Sequence, residues 1–83
     1  MRTKYIVIID SGLENAIVFP EIIDHAKIAG NNKVVSAGFV QFGCNEDEVE
    51  SSCYGESTTL KIKSRGKEDE ILIDKYILGY SNY

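Results

Sequence analysis

The stretch that most restricts the fold is Lys4–Asp10, KYIVIID. It is rich in β-branched residues, which favour pleated, half-buried backbone. Nearly every position is apolar, so an amphipathic strand with one wet face is a poor fit. The run reads as a strand in the middle of a sheet or covered on both faces. In a chain of 83 residues, such a strand commits the molecule to one small domain built around it.

The flanking segments supply partners. Ser11–Asn15 reads as a loop in which Gly12 takes a positive φ, and Ala16–Phe19 as a second strand closing an antiparallel hairpin. Pro20 ends that strand and suits the first turn of a helix over Glu21–Ala29, with Ile22, Ala26 and Ala29 on one stripe. Gly30 stops it. Lys33–Phe42 alternates as a third strand, in which Gly38 marks a bulge or a close approach by another backbone or a ligand. Gly43–Glu48 is a polar reversal and Val49–Gly55 a weaker fourth strand. Ser57–Lys63 has period-2 alternation, with Thr58, Leu60 and Ile62 on one face, and reads as a fifth strand or a continuation of the fourth. A second helix follows, capped by Ser64 or Gly66, acidic over Glu68–Glu70 and apolar at Ile71, Leu72, Ile73, Tyr76, Ile77 and Leu78. That apolar surface is wider than one sheet face needs, and it points to a twin subunit. The order β-β-α-β-β-(β)-α predicts an α+β fold, an antiparallel sheet of four to five strands with two helices packed on one face.

Charge and cysteine content exclude several classes. The net charge of −4 disfavours generic nucleic-acid binding, which needs a basic face. No apolar run reaches the length of a membrane span, and the N-terminal one is too short for a signal-peptide core, so the expected setting is the cytoplasm. A hairpin turning near Asn45–Asp47 puts Cys44 opposite about position 49 and Cys53 opposite about position 40. The two are then too far apart to bridge, since Cα atoms beyond about 7 Å cannot be joined. Two reduced structural thiols are expected, and neither a metal site nor a cofactor.

Two surfaces could carry function. Lys61, Lys63, Arg65 and Lys67 place four of the nine positive charges within seven residues, at a strand-to-helix corner with Ser64. The free N–H groups of a helix start attract anions, and an arginine can hold a phosphate bidentately. Tyr54 or Tyr76 could stack on a nucleotide there. The competing reading is a solvated strand face balancing Glu68–Glu70. The second surface is the acidic reversal, Glu46, Asp47, Glu48 and Glu50, either a soluble tip that discourages edge pairing or a contact for a basic partner protein. Its spacing is not that of a calcium loop. His25 follows Asp24 but lies off the helix stripe, and no nucleophile signature accompanies it. The five tyrosines are surfaces for contact or for core edges.

VVSAGFVQF, then YGESTTLKIKSR, then an acidic helix start, resembles a group of small phage and prophage proteins with no assigned activity. They share a pattern of the type VSAGF…WGES-S-LxLKSR. The likeness covers Val34–Leu78 and includes Gly55, Glu56, Ser57, Leu60, Lys63, Ser64 and Arg65; Tyr54 stands at the aromatic position and Gly66 where a proline is expected. The resemblance implies a phage or mobile-element origin and no particular chemistry. Together these readings lead to a non-enzymatic, oligomeric binding protein. Its ligand would be a small anion at Lys61–Lys67 or, alternatively, a host protein at the acidic tip or an exposed helix face.

Overall fold

The computed structural model describes residues 1–45 and 48–79. A four-stranded antiparallel sheet forms its centre, built from β1 (Thr3–Asp10), β2 (Leu13–Pro20), β3 (Lys33–Asn45) and β4 (Glu48–Tyr54) in the order β2-β1-β3-β4. Two short strands, β5 (Glu56–Ser57) and β6 (Ile62–Lys63), make a separate hairpin. The helices are α1 (His25–Ala29) and α2 (Lys67–Tyr76). The fold is therefore α+β, with the apolar run of β1 inside the sheet, flanked by β2 and β3.

The helices do not share a face. Alternate residues of β1 point to opposite sides. Tyr5 and Val7 enter one core with Val40, Cys53 and Ile73 of α2. Ile6 and Ile8 enter a second core with Phe19, Ala37 and Ala29 of α1, closed by Leu60 and Ile62. The expectation of both helices on one side is corrected by β1 itself: a strand apolar on both faces must be covered on both.

Four local differences from the sequence reading have identifiable causes. The β1–β2 connection is a two-residue turn, with φ of 55° at Ser11 and 79° at Gly12. Positive φ at both central residues gives the twist that tight hairpins favour, so β2 starts at Leu13. Pro20 pairs with Thr3 as the last residue of β2, and α1 keeps only His25–Ala29, leaving Ile22 exposed. In β3 the alternation breaks at Val35, which is skipped between the pairs Val7↔Ser36 and Ile8↔Val34. This bulge turns Val35 to the same side as Ser36, that of α2, while Val34 faces the α1 side. The alternating run Ser57–Lys63 is not one strand: it reverses at Lys61, which adopts φ 57°, and the Lys61 N–H bonds to the Ser57 carbonyl at 2.8 Å. Its Leu60 and Ile62 still reach the α1-side core.

The β3–β4 register is the one read from sequence, with Cys44 opposite Val49 and Cys53 opposite Val40. Both cysteines are free thiols, Cys44 exposed and Cys53 buried. Gly38 is crowded as expected: a Cβ there would lie 2.5 Å from the Tyr54 carbonyl oxygen and 3.2 Å from Ser64 Cβ. No helix among the described residues is long and apolar enough to cross a membrane.

Candidate functional site

At the strand-to-helix corner the fold gathers charge inward. Asp69, fully buried on the first turn of α2, accepts from Ser36 Oγ at 2.8 Å, from the Arg65 backbone N–H at 2.8 Å, from Arg65 Nε at 2.8 Å and from the Tyr5 hydroxyl. The Tyr5 oxygen also lies 2.7 Å from Ser64 Oγ, and Ser64 Oγ accepts the Gly66 N–H at 3.0 Å. The far side of the Arg65 guanidinium is clamped by Glu14 of β2, at 2.8 and 3.2 Å, with Glu68 at 3.6 Å. A planar fork meets a carboxylate on each side, the geometry in which arginine binds most firmly.

Titration shifts follow from these contacts. Hydrogen bonds from Arg65 hold the Glu14 carboxyl below its ordinary range. Bonding to Glu14 and then to Asp69 keeps Arg65 firmly charged, against its partial burial. Burial, and next the neighbouring Asp69, push the Tyr5 phenol well above its ordinary value. Burial pushes the Cys53 thiol up to about 12, with Asp69 and Glu70 adding to the shift.

The corner residues therefore divide. Arg65 and Ser64 belong to a polar network that ties β1, β2 and β3 to α2. Lys61 and Lys63 are exposed on the β5–β6 hairpin. Tyr54 is at the end of β4, stacked on Phe39 at 5.7 Å, whereas Tyr76 is exposed at the end of α2 with the Lys75 ammonium 5.2 Å over its ring. Of the six residues expected around one anion, Ser64 and Arg65 are engaged inside the fold, Lys61, Lys63 and Tyr54 are exposed, and Tyr76 lies at the opposite end of α2 from Arg65. Of the acidic reversal, Glu46 and Asp47 lie outside the described residues. Glu48 opens β4 opposite Asn45, and Glu50 is exposed opposite Gly43.

On the α1 side lies a cleft of about 570 Å³ between the chain start, α1 and the β5–β6 hairpin. Its back wall is aromatic. His25 is 4% exposed, edge-on to Phe19 at 5.5 Å and to Phe39 at 6.1 Å. Its Nε2–H donates to the Gly38 carbonyl at 2.9 Å, which leaves Nδ1 as the acceptor of a neutral ring. Burial holds its pKa below the usual imidazole value and so favours that neutral form. The Arg2 guanidinium sits 3.9 Å over Phe39 and pairs with Glu21 at 2.7 Å, while Lys4 Nζ donates to the Ile23 carbonyl at 2.9 Å.

No family model, curated protein or solved structure matches the chain.

The sequence reading set the basic corner against Glu68–Glu70 but missed the burial of Asp69 and the clamp by Glu14. Asp69 stands four residues after Arg65, a spacing that brings side chains together at a helix start. Three consecutive acids, Glu68, Asp69 and Glu70, concealed which one turns inward. Glu14 carried no such signal, because it lies 51 residues away and only the β2 register delivers it.

Proposed function

We propose that the chain is a non-enzymatic binding protein of phage or mobile-element type that acts through protein contacts, the first of them with a second copy of itself. The observation that carries this is the saturation of Arg65: its guanidinium is held by Glu14, Asp69 and Glu68, so the expected anion ligand is already supplied from within. An external phosphate at the corner would have to displace paired carboxylates or rely on exposed lysines alone, which bind as separate solvated charges.

The same network that silences the corner anchors α2, and α2 presents an exposed outer stripe. Glu68, Ile71 and Lys75 are exposed at spacings of three and four, with Ile71 46% exposed. This stripe is complementary to itself. Two copies of α2 packed antiparallel about a two-fold axis between Ile71 and Leu72 set Glu68 of each opposite Lys75 of the other. Tyr76 and Ile77, both exposed, extend the apolar area toward the helix end. A domain this small gains disproportionately from such burial.

Light scattering coupled to size exclusion tests the reading, with a dimer expected for the wild type. Ile71→Asp, Glu68→Lys and Lys75→Glu should each give monomer, and Glu68→Lys with Lys75→Glu together should restore the dimer. A wild-type monomer at high micromolar concentration refutes it. So does a melting temperature raised by phosphate or nucleotides and insensitive to these changes, which would return the function to the basic corner.

A further inference from the structure

The cleft on the α1 side is not used by the proposed α2 interface, and its chemistry is specific. Its volume lies within the range of about 300–1,000 Å³ usual for small-ligand sites, and its lining is mainly charged and polar beside the Phe39 and His25 rings, which suits a small polar ligand. The charges that line it are unevenly committed. Arg2 and Glu21 neutralise each other. Lys4 spends one of its three N–H donors on the Ile23 carbonyl and lies in no ion pair among the described residues, and the same holds for Asp24 and Glu56. His25, nine-tenths buried, bonds at Nε2 alone, and no buried side-chain nitrogen or oxygen in the described structure is left without a partner. Nδ1 makes no hydrogen bond among the described residues, and His25 lines the cleft.

Acceptors thus outnumber donors: two unpaired carboxylates and a neutral imidazole nitrogen face one unpaired ammonium. A simple anion would meet two like charges there. A ligand with an ammonium at one end and a carboxylate at the other meets its complement at both. We propose that this cleft binds a small zwitterion of the amino-acid class. The ligand ammonium lies among Asp24, Glu56 and His25 Nδ1, its carboxylate lies against Lys4, and its side chain lies along the Phe39 wall.

The test is a titration of the ¹⁵N-labelled protein with free L-amino acids at millimolar concentration, with putrescine and inorganic phosphate as separate arms. At least one amino acid should give saturable shifts in the His25 ring and in the Gly55, Thr58 and Thr59 amides. Putrescine, which lacks the carboxylate, should bind at least about tenfold more weakly, equivalent to about 1.4 kcal/mol. Glu56→Gln, at an exposed position, and Lys4→Met should each weaken binding by about the same factor. Glu56→Gln guards against the case in which losing the Lys4–Ile23 bond disturbs the fold. The proposal is overturned if no amino acid gives a saturable shift. It is also overturned if phosphate alone perturbs these signals, or if Glu56→Gln binds as well as the wild type.

Discussion

Replacing Asp69 by asparagine keeps the shape of the side chain and removes only its charge and one acceptor. Oδ1 accepts from Ser36 and Arg65 Nε, and Oδ2 accepts from Tyr5 and the Arg65 backbone N–H. Whichever way the amide turns, its N–H₂ group faces one Arg65 N–H, which cannot accept, and one hydroxyl, which can turn to accept, so one of the four hydrogen bonds is lost outright and one is reversed. Bonds to a charged partner contribute about 1.5–3 kcal/mol each. Breaking a buried ion pair from one side costs about 3–5 kcal/mol in general, because the other charge is left unpaired. Glu14 still holds the outer half of Arg65, which places the expected loss near the lower bound, about 3 kcal/mol. A domain of this size has about 4–12 kcal/mol in total, so the variant forfeits a quarter or more of it. Urea unfolding followed by circular dichroism should show a lower midpoint with an unchanged slope. A loss below about 1 kcal/mol would mean that Asp69 is not the anchor of α2, and the account of Arg65 as internally saturated would fall with it.

Three further outcomes are expected. Gly38→Ala should destabilise by about 1–3 kcal/mol, because the added methyl meets the rigid Tyr54 carbonyl at 2.5 Å; an unchanged urea midpoint would contradict the crowding. The His25 ring should titrate below its ordinary value of 6.5 by NMR. Its neutral form is the one the fold favours, so its contribution is complete above 6.5 and is lost as pH falls from there through the folded pKa; a midpoint at or above 6.5 refutes the burial argument. Cys44 should react quickly with a thiol reagent at pH 8, and Cys53, buried with its thiol pushed up to about 12, only on unfolding. Equal rates would contradict the assignment of Cys53 to the α2-side core.

What the sequence determined by itself was local. The β-branched apolar run of β1, the strands β2 to β4 and the acidic start of α2 were legible, because each depends on neighbours a few residues apart. So was the β3–β4 register, which follows from a short reversal between two strands. Only the tertiary structure decided the rest. The sides taken by the helices depended on β1 having two apolar faces to cover, and the extra residue at Val35 added an apolar side chain to the α2-side core. The meaning of the basic corner depended on Glu14 and Tyr5, which come to Arg65 and Asp69 from more than fifty residues away. A cluster of positive charge reads as an open site as long as its counterions are unknown. Whether it is one depends on carboxylates that only folding brings within 3 Å, because the attraction is fixed by distance in space and not by separation along the chain.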